Sequence, residues 1–154
     1  MGKKFELTEN YVVNEFGTKL YQIKCTKTFK YAKEGELGGY IEKEENLSQE
    51  GNAWVSGDAQ VSGNARVFGD ACLKSDADHC GFDCLGSSNR HTHAYLTGDN
   101  TVEITCGCFR GSIEEFEKKV KNTHDGTVYE NQYNAIINVI KIKFGSAQRQ
   151  NRQV

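Results

Sequence analysis

Between residues 51 and 73 the chain repeats every six residues, and this periodicity limits its folding more than any other feature. Gly stands at 51, 57, 63 and 69, followed each time by Asn or Asp. Ala occupies 53, 59, 65, 71 and 77, and Val or Leu occupies 55, 61, 67 and 73. Trp54, Gln60, Arg66 and Cys72 stand between each Ala and its aliphatic neighbour, at positions expected to face solvent. A hairpin sheet would also place Ala and the aliphatic on one face, but it would not need Gly at every sixth position. A six-residue period fits a three-sided parallel β-helix, with Gly-Asn or Gly-Asp turning each corner. Three hexads make one coil of about 18 residues, so Val55 should stack under Leu73. The pattern extends backwards through Ile41 and Leu47 and decays at His79, Asp83 and Leu85. That leaves about two coils, whose open ends need covers.

Composition narrows the class. The length of 154 residues is that of one domain with a small appendage. Lys+Arg number 19 against 21 Asp+Glu, a net charge of −2, which argues against bulk electrostatic binding of nucleic acid. Pro is absent and Gly numbers 16, so Gly does most of the turning. Apolar runs are too short to span a membrane. Met1-Gly2-Lys3-Lys4-Phe5 lacks the apolar core of a signal peptide, so a cytoplasmic protein is expected. In that compartment the six cysteines are read as free thiols or metal ligands rather than disulfides.

The stretch Gly35-Glu36-Leu37-Gly38-Gly39-Tyr40-Ile41, running on to Val55, resembles the entry into the repeat of phage and prophage hexapeptide-repeat proteins, the YdcK-like family. The resemblance covers roughly residues 15–75. Gly86-Ser87-Ser88-Asn89, Cys106-Gly107-Cys108-Phe109-Arg110-Gly111 and Thr123-His124 resemble a module seen behind repeat segments in phage-associated proteins. The resemblance implies a phage or prophage origin, a host-cytoplasm setting, a left-handed β-helix and a homo-oligomer, with a trimer favoured. It implies no reaction.

The flanks read as covers. Tyr21, Ile23 and Cys25 alternate on one face of an N-terminal strand, and Phe5 and Leu7 mark another. Ala94–Thr97 and Val102–Cys108 read as two strands about a Gly98-Asp99-Asn100 turn, with Cys106 and Cys108 facing a core. Ser112 and Glu115 form a capping box that starts a helix carrying Ile113, Phe116 and Val120 and stopping near Gly126. A second helix is expected from Val128 to Lys143. The fold class expected is therefore mainly β: a short left-handed parallel β-helix of about two coils, capped by N-terminal strands and a two-strand, two-helix module. The expected segments are a strand cap over 1–40, repeats over 41–85, an α+β module over 86–144 and a disordered tail over 145–154.

Several constellations bear on chemistry. Cys80, Cys84, Cys106 and Cys108 with His79, His91 and His93 could ligate zinc, but Cys106-x-Cys108 is too tight for the usual pair, and buried thiols are the better reading. No metal or cofactor is expected. Cys106 or Cys108 with His124 and an Asp could be written as a nucleophilic triad, but core-facing thiols are poorly placed to react. Hexapeptide acyltransferases use a loop His beside a groove lined by several coils, and this repeat is short. The segment Ser87, Ser88, Asn89, Arg90, His91, Thr92 and His93 gathers hydroxyls, an amide, a guanidinium and two imidazoles, and Arg110 precedes a helix N-terminus. Such groups cradle phosphate. These eight residues form the expected ligand site, alongside the plainer reading of a polar connector. The expected function is non-catalytic: a phage-type counter-defence protein that sequesters a small nucleotide-like signal or blocks a host defence protein. A hexapeptide-repeat acyltransferase and a structural assembly protein are the alternatives.

Overall fold

The computed structural model describes the backbone of residues 2–152 and the side chains of residues 2–145. The chain divides into two compact units at the His79–Cys80 junction.

In the first unit, β1 (Phe5–Val13), β2 (Lys19–Cys25) and β3 (Leu37–Ile41) pair antiparallel in that order, and β5 (Gln60–Val61) joins β3 in parallel. A separate parallel pair joins β4 (Trp54–Val55) to β6 (Cys72–Leu73). Leu47 and Val67 make an isolated parallel bridge. Asn14 closes the β1–β2 turn, its Oδ1 accepting from the backbone N–H groups of Phe16 (2.9 Å) and Thr18 (3.0 Å).

The expected left-handed β-helix is not formed; the fold is mixed, with largely antiparallel sheets and two helices. Val55 does pair with Leu73, and the hexad aliphatics and Ala53, Ala59, Ala65 and Ala71 are buried, whereas Ala77 is exposed. Each hexad strand, however, contains only two residues. The cause is the period itself. The Gly at 51, 57, 63 and 69 adopt φ of 58–68°, so a turn interrupts the chain every six residues. The flanks alternate over longer runs and pair through hairpins, which makes antiparallel ladders dominant. Trp54 is also corrected: it is buried at 2% exposure, with its ring edge-on to Phe29 at 5.4 Å. Gly38 allows that packing, since a Cβ there would come within 2.7 Å of Trp54 Cζ2.

The second unit is a sheet in the order β10-β9-β8-β7, from β7 (His79–Leu85), β8 (Arg90–Leu96), β9 (Val102–Cys106) and β10 (Phe109–Ser112). Two of these strands differ from expectation. The decayed repeat at 79–85 is β7, and the segment after Cys106 turns back as β10. Cys106 pairs with Phe109, so Gly107-Cys108 is the two-residue loop of a hairpin. Cys106 is consequently buried while Cys108 is exposed, instead of both facing a core.

Helix α1 (Ile113–His124) starts where Ser112 Oγ accepts from Glu115 N–H at 3.1 Å and Glu115 Oε1 accepts from Ser112 N–H at 2.9 Å. Gly126 then turns the chain at φ 76° into α2 (Val128–Arg152). Ile113, Phe116 and Val120 of α1, with Tyr133, Ile136, Ile137, Ile140 and Phe144 of α2, pack on Ala94, Leu96, Val102 and Ile104. Of the tail expected over 145–154, residues 153 and 154 lie outside the described residues, and α2 includes the rest.

Candidate functional site

Two hairpins and one stripe of α1 line an open pocket of about 550 Å³ within the second unit. The β7–β8 turn contributes Ser87 and Ser88, the first residue of β8 contributes Arg90, and the β9–β10 hairpin contributes Cys106, Cys108, Phe109 and Arg110. Helix α1 presents Phe116, Lys119, Val120, Thr123 and His124, at i, i+3, i+4, i+7 and i+8, which is one face of a helix. Tyr133 of α2 completes the wall.

Two glycines allow the close packing of the lining. Gly86 has φ 80°, and a Cβ there would fall on the Tyr133 hydroxyl. Gly107 has φ 58°, and a Cβ there would fall on the Arg90 guanidinium. The first turn is also tied to α2, because Gln132 Oε1 accepts from Gly86 N–H at 2.9 Å.

The lining is electrostatically one-sided. It contains Arg90, Arg110, Lys119 and the imidazole of His124, and no Asp or Glu among the described residues. The chain as a whole has more acidic than basic residues, so composition alone would not produce this. Glu103 beside the pocket accepts from Arg110 Nε, which orients that guanidinium and holds it more firmly protonated. His124 is the last residue of α1.

Neutral polar groups stand in and behind the lining. Thr92 Oγ1 donates to Cys106 Sγ at 3.2 Å, and the Tyr133 hydroxyl lies 3.7 Å from the same sulfur. Burial, then the contact with Cys106, pushes the Tyr133 phenol up to about 12, so it stays protonated as a donor.

Of the eight residues expected from sequence, Ser87, Ser88, Arg90 and Arg110 line this pocket. Asn89 turns the chain at φ 50°, its N–H donating to Gly86 O at 3.2 Å. Arg90 to His93 lie on β8 rather than in a loop, so their side chains alternate between faces. Thr92 is buried behind the lining. His91 and His93 take the other face of β8, stacked at 5.1 Å, with His91 Nε2 3.0 Å from His93 Nδ1 and His91 Nδ1 2.6 Å from Asp83 Oδ1. No cluster of three or more His, Cys, Asp or Glu with metal-ligating geometry occurs among the described residues. Lys119, Thr123, Phe109 and Tyr133 were not expected at a site, and His124 was weighed only as a nucleophile's partner. The α1 members carried a readable signal, since they continue the helical spacing that begins at Phe116. Tyr133 carried none, because its place depends on how α2 packs.

No protein-family model, curated protein or solved structure matches this chain. No helix among the described residues is long and apolar enough to cross a membrane.

Proposed function

We propose that the C-terminal unit binds a small phosphorylated ligand without transforming it. The observation that carries this reading is the carboxylate-free pocket with Arg90, Arg110 and Lys119 in its lining. Arginine gives charge-assisted, bidentate contacts to phosphate, and the hydroxyls of Ser87, Ser88 and Thr123 add neutral donors. The volume lies within the usual span for small-molecule sites, roughly 300–1,000 Å³. Non-catalytic binding is supported by the surroundings of Cys106, whose sulfur meets the Thr92 and Tyr133 hydroxyls rather than an imidazole. The phage-type resemblance of residues 35–55 supplies the setting: sequestration of a host nucleotide-like signal in counter-defence. The acyltransferase reading is not carried forward, because it needs a groove lined by several stacked coils.

The test is native mass spectrometry of the gently purified full chain, followed by calorimetric titration with AMP, ribose 5-phosphate and pyrophosphate. A nucleotide-sized adduct released by denaturation, or titratable binding of AMP, is the expected result. Arg90→Ala combined with Arg110→Ala should weaken AMP binding more than about a hundredfold, at about 1.5–3 kcal/mol per charge-assisted contact, while the helical circular dichroism remains. Neither an adduct nor binding of any of the three phosphates would reject the site. The same spectra report the expected homo-oligomer.

A further inference from the structure

Four rings of the pocket lining make one connected series. Phe109 packs on Phe116 with centroids 5.1 Å apart, Phe116 meets Tyr133 edge-on at 5.6 Å, and Tyr133 stacks on His124 at 5.5 Å and 26°. The inner pair is buried, Phe116 at 3% and Tyr133 at 5% exposure. The outer pair, Phe109 and His124, is partly exposed, and both line the pocket. The presenting rings are thus held by buried rings behind them, which reduces the ordering cost of stacking a ligand. Arg90, Arg110 and Lys119 line the same pocket.

Size supports a ligand of two parts. At about 30 Å³ per water, the cavity holds the equivalent of more than ten waters, far more than one inorganic phosphate displaces. A bare anion would satisfy the cations and leave the aromatic wall wet. From the cations, the ring chain and the volume together, we infer that the ligand class is a phosphate monoester bearing a planar aromatic ring, of nucleoside monophosphate size, with its phosphate toward Arg90 and Arg110 and its ring against Phe109 or His124. This rests on the anion-binding function proposed above and adds the requirement for the ring.

The experiment is calorimetric titration of the full chain at fixed low salt with AMP, ribose 5-phosphate, adenosine and inorganic phosphate. AMP is expected to bind at least about tenfold tighter than ribose 5-phosphate, the range of a single base–aromatic stack. Phe109→Leu preserves apolar bulk but removes the ring face, and His124→Leu does the same at the other end. At least one of them should draw the AMP to ribose 5-phosphate ratio toward one, with the helical signal retained as the folding control. Equal affinity for AMP and ribose 5-phosphate overturns the ring requirement while leaving anion binding standing. An AMP advantage that survives both substitutions, or inorganic phosphate binding as tightly as AMP, also overturns it. Failure of every phosphate compound to bind removes the anion site itself.

Discussion

The hexad region and the C-terminal unit treat their polar side chains in opposite ways. In the hexad region they serve the backbone. Asn46 is fully buried, its Nδ2 donating to Gly63 O (3.1 Å) and Ala65 O (2.9 Å) while its Oδ1 accepts from Lys43 N–H (2.9 Å). Lys4 is 5% exposed and donates from Nζ to Ala53 O at 2.6 Å, with Phe29 beneath it at 4.9 Å. Gln49 holds β1 from both sides, accepting from Phe5 N–H at 3.1 Å and donating to Phe5 O at 3.0 Å. In the C-terminal unit the cations instead line a cavity. A regular repeat presents carbonyls at predictable places, and its polar residues satisfy them. In the C-terminal unit Arg110 is held by a neighbouring side-chain carboxylate, that of Glu103.

This contrast can be broken from the repeat side, and the molecule carries its own reporter. Trp54 is the only tryptophan and lies buried in the first unit, so its fluorescence follows that unit. The largest effect is expected from Val61→Asp. Val61 is fully buried, and an unpaired carboxylate there cannot be solvated. The buried-type Trp54 emission should be lost at every temperature; a native-like spectrum would refute the packing of the hexads.

Asn46→Ala comes next. It strands buried carbonyls and one N–H, and should lower stability by about 2–4 kcal/mol. Urea unfolding followed by Trp54 measures this, and a loss below about 1 kcal/mol would show that Asn46 does not hold the repeat together.

Ser112→Ala sharpens the comparison from the other side. It removes half of the α1 capping box and should cost about 1 kcal/mol. The loss should appear in the helical signal and not in the Trp54 transition.

The smallest effect is proton-linked. Burial lowers Lys4 from its ordinary 10.5 to about 8. Between those values the unfolded chain holds the proton that the folded chain has released, so stability rises with pH. From pH 7 to 9 the gain should be at most about 1 kcal/mol, and Lys4→Met should flatten it. A rise as steep in the variant as in the parent chain would show that Lys4 is not the titrating group.

What could be read in advance depended on whether a signal was local. The hexad turns, the burial of Ala53 and Val55, the Ser112–Glu115 cap and the apolar stripe of α1 follow from neighbours within a few residues, where spacing dictates geometry. Ser87, Ser88, Arg90 and Arg110 were legible by chemistry, as phosphate-binding residue types near turns and a helix start. The fold class was not. A six-residue period states where the chain turns, but it does not say whether neighbouring segments will run parallel or be captured by hairpins, and here most pairing is antiparallel. Nor could it place Trp54, whose polar-side position in the repeat is covered by Phe29 from 25 residues earlier. The sequence by itself determined the turns, the caps and which small and aliphatic side chains must be inside. Only the tertiary structure decided that His91 and His93 face away from Arg90, and that Lys119, His124 and Tyr133 meet the two hairpins around one cavity. Side-chain direction along a strand follows from its register, and a pocket forms only where separate elements pack.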